Sequence, residues 1–243
     1  MNYHIDTIPV WDALKSGAPC LMCRLREINE VKSVDFFLGA SVMEPDIRIR
    51  VNRMGFCSRH QKMLYDKKNR LGHALLMLSH TEETSKRIGK LISCLQPRST
   101  GLFSIGKKQP SSSPADELES MLNDCIICSD IDERLDSYAY TLLHMYKNDA
   151  SFQKAFDDCS GLCLRDTAYL IRMAEKVSSS SDCTAITSLL LTKLKKKAEY
   201  ETESLARFTQ KFDYRNADKP WGDSKEALER SVNLLCGKSI GES

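Results

Sequence analysis

Apolar side chains recur at three- and four-residue steps along most of the chain, the period of a helix that buries one face. Leu25, Ile28, Val31, Val34 and Leu38 form one such stripe, and Ile127, Ile131, Leu135, Tyr138, Leu142 and Met145 form another. Pro45 reads as a first-turn proline of a short helix stopped by Gly55, and Ser79, His80, Thr81 and Glu82 read as a capping box that opens a helix running to about Cys94. A polar break from Ser178 to Asp182 precedes a long helix through Ile186, Leu190, Leu194, Leu205, Phe208 and Phe212. The last helix, with Ala227, Leu228, Val232 and Leu235, is predicted to be capped by Asp223 with Glu226 and to stop at Gly237.

The cysteines give these helices an order. Cys20 and Cys23 form a CxxC, followed by Gly55, Cys57 and His60 as GxCxxH; Cys125 and Cys128 then repeat the CxxC, and Gly161, Cys163 and Asp166 follow as GxCxxD. The step from the first cysteine of each pair to the glycine-linked cysteine is 37 residues in the first copy and 38 in the second, and Arg59 matches Arg165. An internal duplication accounts for this spacing. The expectation is an all-α helical bundle of two related helical repeats, each organised around a CxxC plus CxxH/D metal site. Residues 1–96 would be the first repeat, 97–114 a linker rich in Ser, Gly and Pro, 115–212 the second repeat, and 213–243 a C-terminal clasp and helix.

Two thiolates from a CxxC turn and two donors from a CxxH turn can close a tetrahedron about one zinc ion. Within the first repeat that set is Cys20, Cys23, Cys57 and His60; within the second it is Cys125, Cys128, Cys163 and Asp166, with Cys159 as a rival fourth ligand. Four protein ligands leave no open position, so the sites read as structural, with one or two zinc ions per chain. Iron or an iron-sulfur cluster, thiol-redox use of the same cysteines, and merely buried thiols are the alternatives. A redox CxxC of the thioredoxin kind expects a βαβ context, whereas these flanks are helical.

Charge excludes little and supplies little: 35 Lys and Arg against 33 Asp and Glu leave +2. Lys193, Lys195, Lys196 and Lys197 are followed by Glu199, Glu201 and Glu203, which reads as a solvated face rather than a nucleic-acid surface. The N-terminal segment lacks the pattern of a signal peptide and no apolar run would span a membrane, so a cytoplasmic protein with no membrane insertion is expected. There is no GxGxxG, Walker loop, HExxH or GxSxG, and His4, His73, His80 and His144 are scattered, so an enzyme is not favoured. Phe212, Tyr214, Arg215 and Trp221 are dense in rings and charge for a loop; they read either as a surface for a protein partner or as a clasp holding the tail to the bundle.

With these motifs in view, the chain resembles a group of uncharacterised bacterial proteins sharing a domain of unknown function. The likeness rests on the order of Cys20, Cys23, Cys57 and His60 and on the Lys-Phe-Asp-Tyr-Arg-Asn tail at Lys211 to Asn216, and it spans most of the chain. It implies a bacterial cytoplasmic protein and no assigned activity. Asp166, standing where the first copy has a histidine, puts the equivalence of the two sites in question.

Overall fold

The computed structural model describes residues 3–95, 113–216, 218 and 220–241. Among these there are eleven α-helices and no strand. The helices are α1 (Tyr3–Lys15), α2 (Leu21–Leu38), α3 (Pro45–Met54), α4 (Ser58–Asp66), α5 (Arg70–Leu95), α6 (Pro114–Asn123), α7 (Ile126–Asn148), α8 (Ala150–Asp158), α9 (Leu164–Val177), α10 (Ser180–Gln210) and α11 (Ala227–Cys236). The expected linker lies almost wholly outside the described residues.

The chain divides into two compact units that do not follow the two copies of the motif. One comprises Met1–Asn29 with Glu133–Ser243, the other Glu30–Asp132. Both boundaries fall inside helices, within α2 and within α7. These are the helices that follow the two CxxC turns, so each carries the chain out of the unit in which its own cysteines sit. This division cuts through the two most regular stripes, and the expected boundary at residues 97–114 falls on residues that are almost all outside those described. The physical reason is length: α2 has 18 residues and α7 has 23. At about 1.5 Å per residue, each is long enough to supply side chains to two separate cores.

In the first unit the core includes Met22, Leu25, Leu135, Leu142, Phe152, Phe156 and Leu170. Trp11 of α1 meets Phe152 edge to face at 5.2 Å. The 31-residue α10 packs on α9 and α11. In the second unit Val34, Phe37, Val51, Phe56, Leu64 and Leu76 are buried, with Phe37 and Phe56 edge to face at 5.6 Å. The α7 stripe is buried at all six expected positions, whereas in α2 Val31 is 45% exposed.

Three local expectations change. Ser79 to Glu82 opens nothing: α5 runs unbroken from Arg70, and the Ser79 hydroxyl bonds back to the carbonyls of Leu75 and Leu76. Asp223 does not cap the last helix, because its carboxylate is taken by Tyr200 and Arg207. The buried face of α11 is Ala227, Ser231 and Leu234, with Leu228 and Leu235 outside. Gly55 does end α3, at φ 67°, and Gly161 stands at φ 86° before α9, a left-handed backbone that side chains rarely adopt.

Candidate metal centres

All four cysteine motifs occupy one register. Cys20 and Cys125 immediately precede α2 and α7, and Cys23 and Cys128 are the third residues of those helices; Cys57 and Cys163 are the N-caps of α4 and α9, and His60 and Asp166 are third. The N-cap and third side chains of a helix face one another, which is why a capping box works and why a CxxC or CxxH here presents two donors side by side. The orphan N–H groups and partial positive charge of a helix start also favour thiolate over thiol. Each centre is therefore two helix starts brought together.

The helix starts meet across the copies. Cys57, His60, Cys125 and Cys128 gather in the second unit, and Cys20, Cys23, Cys163 and Asp166 gather in the first, with the ligand atoms of each group within 4.8 Å of one another. The eight expected residues are all used, but the expected groupings are exchanged: the CxxC of each copy stands with the CxxH or CxxD of the other. Cys159 belongs to neither group and forms the C-cap of α8.

In the second unit the Nδ1 atom of His60 lies 3.3 Å from the sulfurs of Cys57 and Cys125 and 3.4 Å from that of Cys128, and Cys57 and Cys128 are 3.9 Å apart. The other ring nitrogen meets Glu30 at 3.0 Å, and Arg59 reaches the second oxygen of Glu30 at 2.6 Å. Burial works against charge on His60, but its bonds to Cys125 and Glu30 outweigh it and raise the imidazole to about 10. Burial likewise opposes a thiolate at Cys125, yet the bond from His60 and backbone N–H groups lower it to about 6. Glu30 is held below its ordinary range: burial opposes this, and the bonds from His60 and Arg59 win. The amide N–H of Ile126 donates to the Gly55 carbonyl at 3.1 Å, tying the two helix starts together.

In the first unit Asp166 takes the place of the histidine and is fully buried. Its Oδ2 lies 3.3, 3.1 and 3.2 Å from the sulfurs of Cys20, Cys23 and Cys163, and Cys163 is 3.7 Å from each of the other two. Its Oδ1 accepts from Arg26 at 3.4 Å and from Arg165 at 3.3 Å. Hydrogen bonds from Cys163 and Cys20 push Cys23 far down, helped by the Lys238 amide; Cys20 is pushed up by its bonds to Cys163 and Cys23 and by burial. Cys163 is lowered by Cys20 but raised more by Cys23 and burial, to about 12. Of the three thiols, Cys23 is thus the one most favoured as thiolate.

The donor chemistry fits one small ion per group. Zinc-sulfur bonds of about 2.3 Å in a tetrahedron set sulfur atoms about 3.8 Å apart, against 3.7 to 3.9 Å here. Glu30 and Arg26 were not legible in the sequence because the groups they meet lie far along the chain: Glu30 meets His60, and Arg26, one turn after Cys23, meets Asp166. The matching arginines Arg59 and Arg165 were the visible hint of a supporting layer.

Phe212, Tyr214, Arg215 and Trp221 stand in neither group. Phe212 meets Phe208 and Trp221 edge to face, Trp221 lies tilted against Phe208, Lys211 lies 5.3 Å over the Trp221 ring, and Arg215 pairs with Asp213, while Tyr214 is 86% exposed. No helix among the described residues is long and apolar enough to cross a membrane.

Comparison with known proteins agrees on kinship and is silent on activity. The model of a family of unknown function, DUF6062, matches residues 1–242, and the chain belongs to that family. An uncharacterized 23.9 kDa protein in the xynA 3' region of Caldicellulosiruptor sp. (strain Rt8B.4) is 26% identical over 221 residues, covering 90% of this chain and 95% of the relative. No solved structure matches.

Proposed function

We propose that this member of a family of unknown function is a zinc-binding helical scaffold, with one structural zinc ion in each unit and a surface that serves a protein partner in the cytoplasm. The observation that carries the reading is the convergence of four helix starts into two four-donor groups with tetrahedral spacing. Cys57, Cys125, Cys128 and the His60 Nδ1 would hold one ion, with Glu30 orienting the imidazole through Nε2, the usual carboxylate support of a metal-bound histidine. Cys20, Cys23, Cys163 and Asp166 would hold the other, with Arg26 and Arg165 fixing the carboxylate. A bound ion supplies cross-linking of two helix starts; the full ligand set makes its role structural. Sulfur atoms this close suit a single ion and leave no room for a multi-iron core, which argues against the iron-sulfur alternative. Metal analysis of protein purified without added metal tests this: about two zinc ions per chain, with few titratable thiols, is the expected result. A coloured iron protein, or a metal-free one that keeps its full helix content, would overturn it.

A further inference from the structure

The first unit contains a cavity of 1090 Å³, about as large as the bigger small-molecule pockets. Cys20, Cys23 and Cys163 lie at one end of it, α10 forms one wall and the start of α11 another. The lysine-rich stretch of α10, which reads in sequence as a neutralised solvent face, is sorted by the helix period. Lys195 pairs outward with Glu199, while Lys193, Lys196 and Lys197 line the cavity at three- and four-residue steps. Glu201 is engaged by Arg230 at 3.0 Å and Glu27 by Arg24 at 3.0 Å. Among the described residues none of the three cavity lysines makes an ion pair. Lys193 donates to the carbonyls of Asp157 and Cys159 at the end of α8, Lys197 donates to the Pro19 carbonyl, and Lys196 stands exposed on the cavity wall. On the α11 side Glu226 and Glu229 also line the cavity and make no ion pair among the described residues.

A half-open pocket with ammonium groups that make no ion pair on one wall and carboxylates that make none on another is matched to a ligand of opposite polarity at its two ends. We propose that this cavity binds a small zwitterion, its anionic group, carboxylate or phosphate, toward Lys196 and Lys197 and its ammonium group toward Glu226 and Glu229. The inference goes beyond the scaffold reading and does not depend on which metal the cysteines hold.

Calorimetric titration of the full chain as purified, with zinc content measured in parallel, tests it with four probes: trialanine, trialanine amide, phosphoethanolamine and inorganic phosphate. Saturable binding of trialanine or phosphoethanolamine is expected, and which of the two binds identifies the anionic group. Removing one charge from the ligand, as in trialanine amide or inorganic phosphate, is expected to weaken binding at least about tenfold. Lys196→Gln and the double change Glu226→Gln with Glu229→Gln are each expected to do the same at unchanged zinc content and helix content. Absence of saturable binding by both zwitterions up to about 10 mM would overturn the proposal. So would inorganic phosphate binding as well as either zwitterion, or zwitterion binding that neither variant weakens.

Discussion

The two candidate metal centres share a plan and differ in what stands behind the fourth donor. In the second unit a neutral imidazole leaves a ring N–H to be satisfied, and a single carboxylate, Glu30, satisfies it while Arg59 steadies Glu30 from an exposed position. In the first unit a carboxylate ligand adds a negative charge and leaves an acceptor oxygen, which two guanidinium groups, Arg26 and Arg165, satisfy. Arg165 also approaches the Cys23 sulfur at 3.5 Å, and the Lys238 amide donates to the same sulfur at 3.3 Å. Three thiolates and a carboxylate around a divalent ion leave two negative charges, against one for three thiolates and an imidazole. The protein supplies more cationic and N–H support where the centre is more negative. Where the fourth donor differs, so does the layer behind it: a carboxylate acceptor behind His60 and guanidinium donors behind Asp166.

The sharpest way to break this comparison is to ask which ligands share an ion. Cys57→Ser and Cys125→Ser are each expected to lose one zinc ion and to melt the second unit, a structural zinc supplying on the order of 10 kcal/mol of apparent binding. The double variant should lose no more than one ion, whereas Cys57→Ser with Cys20→Ser should lose both, as read by metal content and far-ultraviolet circular dichroism. The opposite pattern would restore pairing within each copy.

Chelation should reveal a pH dependence of definite sign. In the metal-free second unit His60 is raised from 6.5 to about 10, so its stabilising contribution is complete below 6.5 and fades as pH rises toward 10. Zinc requires the deprotonated imidazole, and the thermodynamic advantage of the loaded protein therefore grows as pH rises, by about 1.4 kcal/mol per unit for each proton released. The gap in melting temperature between loaded and chelated protein is expected to widen from pH 6 to pH 9. A constant gap would mean that neither His60 nor the thiols release protons on loading, and would overturn the ligand set.

Smaller effects separate the supporting layers. Glu30→Ala is expected to weaken zinc at the second unit about 10- to 100-fold, with the first unit untouched, in a competition titration with a chromophoric chelator. Arg165→Ala, which removes contacts to both Asp166 and Cys23, should weaken the first centre more than Arg59→Ala weakens the second. Arg59 is largely exposed and acts one residue removed from the ligand, so about 1 kcal/mol or less is expected there.

Much of this molecule was legible along the chain. Each CxxC starts a helix, each CxxH or CxxD starts another, Gly55 and Gly237 stop theirs, and the α7 stripe is buried at every expected position. Those features depend on residues within a turn or two of one another, where spacing fixes geometry. Errors came where a local signal was outbid by packing: Ser79 to Glu82 lies inside α5, and Asp223 is drawn to Tyr200 and Arg207.

The sequence by itself determined the eight candidate ligands and the helix starts that present them, because an N-cap and the third residue face each other wherever a helix begins. It could not determine partnership, since the two copies offer chemically interchangeable pairs and the 37- and 38-residue spacings permit either choice. The tertiary structure decided it through helix length. The 18-residue α2 and the 23-residue α7 carry the chain about 27 Å and about 35 Å from their cysteines, and out of the units that hold those cysteines. Each CxxC is therefore met by the turn that the other copy delivers.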